Sequence, residues 1–180
     1  MNSFAELVSK RRSTRQFTDE SLLPNEVEQI MKSALMAPSS KNSRPWHFVL
    51  IEDKETLHKL SLAKESGIAF IENCALAIVV TTDYNLSHAH TEDAAIAATY
   101  IQLQAEDLGL SSCWIQISGR ETESGHDSEQ YVRDILDIPF QLSIGCILAI
   151  GRKAKEAKPH NEENLLWERL HIEKFRYDEE

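Results

Sequence analysis

Three arginines and two hydroxyl residues lie within five positions near the amino terminus, in the segment Arg11-Arg12-Ser13-Thr14-Arg15. Guanidinium groups bind phosphate and similar oxyanions through paired, charge-assisted hydrogen bonds, and hydroxyl groups add further donors. The chain as a whole has a formal net charge of -10 and would repel an anion. This local reversal of charge predicts that the segment holds the anionic group of a ligand.

A second polar segment follows after one helix length, at residues 37–48, with the sequence APSSKNSRPWHF. Pro38 stops the preceding helix, and the short side chains of Ser39, Ser40 and Asn42 let a ligand approach the backbone closely. Alone, this stretch is typical of an ordinary turn-rich loop. The arginine pair alone is equally typical of a solvated helix end. Their joint occurrence favours a ligand site.

The composition describes one compact globular domain, with 180 residues of which 42% are hydrophobic and 27% charged. The acidic balance, with a sequence pI near 5.2, argues against binding to nucleic acid or to anionic membranes. The amino terminus lacks a basic and then apolar leader pattern, and the longest apolar runs are too short to span a bilayer. We therefore expect a cytoplasmic protein with neither nucleic acid nor membrane as a partner.

The residues that could bind metal are poorly arranged for it. Cys74, Cys113 and Cys146 are scattered through apolar sequence, which is typical of buried, reduced thiols. His88 and His90 are two positions apart and do not share a face of a helix. We expect no metal site.

A glycine-rich dinucleotide fingerprint is also missing from the sequence, so a Rossmann domain lacks support.

Hydrophobic spacing predicts the order helix, helix, strand, helix, strand, helix, strand, helix, strand, and then a tail. After the first helix, the predicted elements are a helix from Pro24 to Pro38, a strand at 47–51, a helix at 54–63, a strand at 75–81, a central helix at 91–108, a strand at 112–117, a helix at 127–136 and a strand at 142–151. Strands separated by helices indicate an α/β or α+β sheet with helices on its faces.

The charged tail, residues 152–180, carries apolar and aromatic side chains that a monomer would expose: Leu165, Leu166, Trp167, Leu170, Ile172, Phe175 and Tyr177. Such a set on a surface is typical of a contact between proteins. We expect the tail to pack on a partner subunit.

A third segment, residues 107–115 with the sequence DLGLSSCWI, follows the central helix. Together, the three segments closely resemble the FMN-dependent nitroreductase family, in the order and spacing of a small, minimal-length member. The resemblance implies an α+β, nitroreductase-like fold with a central mixed sheet flanked by helices, in an intertwined homodimer that builds its FMN sites at the subunit interface. It divides the chain into an FMN-binding domain, residues 1–151, and the tail, residues 152–180, packed on the dimer partner.

The resemblance also implies which residues bind FMN: Arg11, Arg12, Ser13, Arg15, Pro38, Ser39, Ser40, Asn42, Gln116, Ile117 and Arg152. By this resemblance, Arg11 and Ser13 bind the phosphate and ribityl end of FMN. Arg15 lies at the pyrimidine edge of the flavin, where a cation stabilises the charge of the reduced ring. The loop that begins at Pro38 reaches the flavin from the other subunit. The backbone at Gln116 runs past the flavin N5, and Arg152 is our choice for a late phosphate contact. Arg44 stands where glutamine is common in the family.

The implied activity is that of an FMN-dependent NAD(P)H oxidoreductase. NADH or NADPH would deliver hydride to the flavin N5, and a small acceptor such as a nitroaromatic or a quinone would then be reduced, with ping-pong kinetics. No protein residue needs to be catalytic, because the cofactor carries the chemistry. Two alternatives stay open: a non-catalytic FMN-binding dimeric module, and a specialised enzyme of the same fold with dehydrogenase or dehalogenase-like activity. The sequence leaves open the acceptor and the choice between NADH and NADPH.

Overall fold

The computed structural model describes residues 3–175. Five α-helices and four β-strands follow one another in the order α1 (Phe4–Lys10), α2 (Pro24–Leu35), β1 (Trp46–Ile51), α3 (Lys54–Ser61), β2 (Leu76–Asp83), α4 (His90–Asp107), β3 (Ser111–Gln116), α5 (Ser128–Leu136) and β4 (Leu142–Gly151). Short 3₁₀ turns occur at Ser40–Asn42, Ala69–Asn73, Glu162–Asn164 and Trp167–Arg169. The predicted order of helices and strands is confirmed, and the bounds of β4 coincide with the prediction.

The four strands form one sheet in the order β1-β2-β4-β3. Each neighbouring pair is antiparallel, so the prediction of a mixed sheet is wrong for these strands. The reason is the position of β4. It inserts between β2 and β3, which run in the same direction and would otherwise be parallel neighbours. A parallel pairing occurs only as an isolated bridge between Ser13 and Ser112, among the residues that the structure describes.

Helices cover both faces of the sheet, as predicted for an α+β fold. Successive side chains of a strand point to opposite faces. In β2, Ala77 and Val79 belong to the core on the side of α3 and α5, while Ile78 and Val80 belong to the core on the side of α2 and α4. β2 is therefore buried on both faces, which explains its almost uninterrupted apolar sequence. The central helix α4 contributes a face of small residues that packs closely on the sheet.

Local sequence determines where several helices begin. Ser3 caps α1 and forms a reciprocal capping box with Glu6. Asp53 caps α3, and Asp127 caps α5, each through a side-chain oxygen that accepts a backbone N–H of the first turn. Pro24 occupies the first turn of α2, where a missing N–H costs nothing. These signals explain why the predicted helix starts lie within about one residue of the observed ones.

The backbone of residues 152–175 forms hydrogen bonds with residues on either side of the arginine segment. The N–H of Thr18 donates to the Arg152 carbonyl at 2.9 Å, that of Ala154 to the Gln16 carbonyl at 3.0 Å, and that of His160 to the Ser9 carbonyl at 2.9 Å. The apolar side chains of this tail are exposed: Leu165, Leu166, Trp167, Leu170, Ile172 and Phe175. The seventh residue of the predicted set, Tyr177, lies outside the described residues. No helix within residues 3–175 is long and apolar enough to cross a membrane.

The three cysteines are free and buried, as predicted. Burial raises the pKa of the Cys74 thiol to about 11 from its ordinary value of 9.0, and it also raises the pKa of Cys146. The buried thiols therefore keep their protons at a pH where the unfolded chain loses them.

This difference predicts that alkali destabilises the protein. Below pH 9.0 the thiol of Cys74 is neutral in both states, and between pH 9.0 and about 11 only the unfolded thiol ionises. The free energy of unfolding should then fall with rising pH, by up to about 1.4 kcal/mol per pH unit for each such thiol. Denaturant titrations of the wild type and of Cys74→Ala between pH 8 and 10.5 measure this. An equal slope in both proteins would contradict the assignment.

Candidate functional site

The arginine segment lies beside the first residues of β3. The N–H of Thr14 donates to the Ser112 carbonyl at 3.0 Å, which forms the parallel bridge at Ser13. Arg11 follows the last residue of α1, where the helix has ended and the chain turns toward the sheet. From α4, the side-chain amide of Gln102 reaches the Ser112 hydroxyl at 3.3 Å. A backbone bond thus holds the segment on the edge strand, and this bond leaves the side chains of Arg11 and Ser13 available to a ligand.

Three basic residues act electrostatically on the Cys113 thiol of β3. Burial raises the pKa of the Cys113 thiol, and the positive charges of Arg15, Arg11 and Lys64 oppose that shift. The guanidinium of Arg11 makes no hydrogen bond or ion pair within residues 3–175. That of Arg15 lies 5.9 Å from the centre of the Phe70 ring, in cation–π geometry. Burial raises the pKa of Glu106, and the positive charges of Lys153 and Arg11 oppose that shift, so Arg11 has a counter-charge although its hydrogen-bond donors are available to an anionic ligand.

An open cleft of about 510 Å³ borders this segment. Arg11, Ser13, Gln102 and Trp114 provide its polar atoms and an aromatic ring, and the rest of its lining comes from Phe4, Val8, Thr99 and Leu103. A charged end beside a largely apolar wall matches a ligand that has a phosphate and a flat, mostly apolar ring system. The cleft brings together two of the predicted residues, Arg11 and Ser13.

Two other predicted basic residues have partners within the chain. Arg12 donates from Nη1 to the Lys158 carbonyl at 2.5 Å and so holds the tail. Arg152 pairs with Glu20 at 3.0 Å and with Glu26 at 3.1 Å. The role of Arg152 as a phosphate ligand stays a prediction. The two ion pairs argue against this role because they already occupy the Arg152 guanidinium.

The second segment forms a strained loop. Lys41, Asn42 and Arg44 have φ angles of 52°, 56° and 50°, in the left-handed region, which costs each roughly 1 kcal/mol for a residue with a side chain. The Ser39 hydroxyl accepts the Arg44 N–H at 2.9 Å, and the Asn42 side-chain oxygen accepts the Arg44 Nε at 3.0 Å. The arginine in place of glutamine therefore helps to close the loop.

The arginine segment and this loop lie at opposite corners of the sheet. Ser112, next to the arginines, is level with Ile150 and Leu76, whereas Trp46, at the end of the loop, is level with Thr82. The separation is about 20 Å along the strands and about 14 Å across three strand spacings. One copy of the chain does not bring the two segments together.

Gln116 is the last residue of β3, at the other end of this strand from Ser112, and Ile117 follows it. The Gln116 side-chain oxygen accepts the Trp114 indole N–H at 3.1 Å, and its amide donates to the Ser118 carbonyl at 3.2 Å. The Ile117 side chain is buried in the core. Both side chains are thus engaged within the chain, so any ligand contact here falls to the backbone, as the resemblance implies.

Sequence reasoning missed one residue. Asp93, in the first turn of α4, accepts the Ser40 N–H at 2.7 Å. Its partner lies fifty-three positions away, which no local pattern indicates.

His90 lies at the start of α4 and is 3.4 Å from the Thr82 hydroxyl, measured from its Nδ1. Within residues 3–175, no cluster of three or more histidine, cysteine, aspartate or glutamate side chains is placed to hold a metal ion.

Comparison with known proteins agrees with this geometry. A protein of Archaeoglobus fulgidus, provisionally named NADH dehydrogenase/NAD(P)H nitroreductase, is 30% identical over 180 residues, which cover 97% of this chain and 100% of the relative. The NADH dehydrogenase of Thermus thermophilus is 26% identical over 199 residues, covering 88% of this chain and 92% of the relative. The crystal-structure comparison finds an FMN-dependent nitroreductase from Clostridium difficile R20291 with a TM-score of 0.93 and 39% identity, covering 96% of this chain and 100% of that one.

The antiparallel sheet, its flanking helices and the cleft beside Arg11 define an α+β protein of the nitroreductase fold. The model of the nitroreductase family matches residues 8–92 and 69–152, and the chain belongs to that family. It is an oxidoreductase enzyme.

Proposed function

We propose that this chain is an FMN-dependent oxidoreductase that oxidises NADH or NADPH and reduces a small acceptor such as a nitroaromatic or a quinone. The observation that carries the proposal is the guanidinium of Arg11, which makes no hydrogen bond or ion pair within residues 3–175 and borders the same cleft as Ser13 in an otherwise acidic chain. The names of the relatives support it, since they include an FMN-dependent nitroreductase and an NADH dehydrogenase.

The residues around the cleft fit FMN. A phosphate needs several donors, and the Arg11 guanidinium and the Ser13 hydroxyl in this cleft are available for it, since neither makes a hydrogen bond within residues 3–175. The flavin ring needs an apolar surface, which Trp114 and Leu103 provide in the cleft. We assign Arg15 to the ring, where its charge would favour the reduced form.

When bound, FMN supplies the acceptance of hydride from the reduced nicotinamide and its transfer to the acceptor. The protein's part is to hold the phosphate end with Arg11 and Ser13 and to present backbone N–H groups at Gln116 and Ile117. A backbone donor there has no titrating group, so it acts at any pH at which the fold is intact. Solvent can supply protons at an open site, and no acid or base of the chain is assigned to the reaction.

We propose further that the complete site needs two copies of the chain. The arginine segment and the Pro38–Asn42 loop, at opposite corners of one sheet, would meet only across an interface. An apolar groove between α1, α2 and α4, lined by Phe4, Leu7, Met36, Tyr100 and Leu103, supports a homodimer because such surface is rarely left to water. Residues 1–151 would then form the FMN-binding domain, and residues 152–180 would pack on the partner.

The acceptor is proposed as a class only. No long insertion interrupts the elements between α1 and β4, so a large lid over the cleft is not expected and small aromatic acceptors should enter freely. The free, buried cysteines suit a reducing compartment, which favours the cytoplasm.

Steady-state kinetics test this proposal. With FMN-loaded protein, initial rates are measured at several concentrations of NADH or NADPH against menadione and against nitrofurazone. If both substrates use one open face in turn, double-reciprocal plots are parallel. Intersecting lines would contradict the ping-pong scheme. Oxidation of neither nucleotide by a protein that retains FMN would instead support a non-catalytic flavin-binding module.

The assignment of Arg15 predicts a change in reduction potential. Arg15→Ala should lower the two-electron potential of the bound flavin by about 30 mV, equivalent to about 1.4 kcal/mol, because a cation that favours the anionic reduced ring is lost. Arg15→Lys keeps the charge and should stay close to the wild type. Equilibration with reference dyes measures the potential, and an unchanged value in Arg15→Ala would remove the assignment.

A further inference from the structure

Asp93 is a buried carboxylate outside the cleft, with an exposed fraction of 1%. One of its oxygens accepts the backbone N–H of Ser40 at 2.7 Å, and the other accepts the hydroxyl of Ser87 at 2.7 Å. The Ser87 oxygen in turn accepts the N–H of Ala89, just before α4. The carboxylate therefore connects three elements: the Pro38–Asn42 loop, the turn after β2 and the first turn of α4.

The loop needs such a connection because its backbone is strained. Three of its residues, Lys41, Asn42 and Arg44, have left-handed backbone angles, which an unconstrained chain would leave. Its bonds at Ser39 and Asn42 both go to Arg44 and are internal to the loop. The bond from Ser40 to Asp93 is the side-chain contact that joins this loop to the helix.

We infer that Asp93 is a positioning residue, which fixes the backbone of Ser39 and Ser40 in the form that contacts the flavin of the partner copy. This inference rests on the proposed function. The loop presents a hydroxyl that is already oriented. Ser39 Oγ accepts the Arg44 N–H, so its own hydrogen is left to donate to a ligand. Asp93 acts on the ligand only through this loop and does not touch it.

The chemistry of the two donors explains why a carboxylate is needed. The Ser40 N–H and the Ser87 hydroxyl both donate, and a carboxylate satisfies them together because each of its oxygens accepts one of the two bonds. An asparagine keeps one acceptor for Ser40, and the Ser87 hydroxyl can rotate to accept from its NH₂ group. An alanine satisfies neither. The effects should therefore rank as Asp93→Ala, then Ser87→Ala, then Asp93→Asn, with the largest first.

The test measures FMN affinity and the visible circular dichroism of bound flavin in these three variants, with Glu92→Gln as the matched control. Glu92 is an exposed carboxylate in the same turn of α4, so its replacement removes the same charge without touching the loop. We expect the dissociation constant of FMN to rise about tenfold in Asp93→Ala and about threefold in Ser87→Ala, and to stay within about twofold in Asp93→Asn. At saturating FMN, the dichroism band should change in Asp93→Ala and be restored in Asp93→Asn.

A purely structural role would lower the melting temperature and leave the dichroism of the bound flavin unchanged, which would overturn the inference. Equal FMN affinity in all variants would overturn it as well. If Asp93→Ala does not fold, Ser87→Ala still decides, because it keeps the Ser40 bond and removes only the second anchor. A wild type that binds no FMN would instead refute the proposed function.

Discussion

Replacing Arg11 with alanine is expected to weaken FMN binding about 30-fold, equivalent to about 2 kcal/mol. The guanidinium makes no hydrogen bond or ion pair within residues 3–175, so within the fold the substitution removes only electrostatic interactions such as the one with Glu106. A charge-assisted bond to a phosphate contributes about 1 to 3 kcal/mol, and it is lost completely here. Fluorescence titration of the apoprotein with FMN measures the change. Ser13→Ala should act in the same direction with a smaller effect, because a neutral donor is lost.

Two controls separate charge from shape. Arg11→Lys keeps the charge but loses the planar fork, so it should recover only part of the affinity. Lys32→Ala removes an exposed cation of α2 that pairs with Glu28, and it should leave FMN affinity unchanged. Wild-type affinity in Arg11→Ala would mean that the phosphate lies elsewhere.

Mixed dimers are expected to recover activity that neither parent shows. Arg11→Ala damages the phosphate end of a site, and Ser40→Trp blocks the loop while keeping the backbone bond to Asp93. If each site combines the arginine segment of one copy with the loop of the other, a mixed dimer has one intact site and one doubly damaged site. Dimers purified through two different affinity tags should then bind about half as much FMN as the wild type and show about half of its rate.

The comparison is made at an FMN concentration a few times the wild-type dissociation constant and well below the about 30-fold higher one of Arg11→Ala, so that the intact site fills and the parent dimers stay largely empty. The control is a dimer whose two chains carry the same substitution but different affinity tags, and it should stay inactive. If both segments of a site came from one chain, every site in the mixed dimer would be damaged. No recovery would occur, and the composite site would be refuted.

Much of the fold could be predicted because its signals are local. Pro24 and Pro38 bracket α2, Gly109 follows α4, and the apolar run at 142–151 is β4. The order in which the strands pair was harder to predict from the sequence. Alternating helices and strands do not determine where β4 inserts, and its place between β2 and β3 makes the sheet antiparallel.

In the candidate site, too, the local features could be predicted from the sequence and the long-range contacts could not. The arginine segment and the serine-rich loop were visible because each is a short run of distinctive residue types. We could not predict that Arg152 pairs with Glu20 and Glu26, or that Arg12 donates a hydrogen bond to the tail. These partners are distant in sequence. Asp93 was hidden because a carboxylate in the first turn of a helix already has a local explanation, which is the helix dipole.

The central claim is that this chain is a flavoenzyme reduced by a nicotinamide nucleotide, and the absorbance spectrum of the purified protein tests it most directly. With FMN added to saturation and unbound flavin removed, the account predicts a band at about 450 nm that bleaches on anaerobic addition of NADH or NADPH. A protein that stays colourless after incubation with FMN, or a bound flavin that neither nucleotide bleaches, would contradict the account.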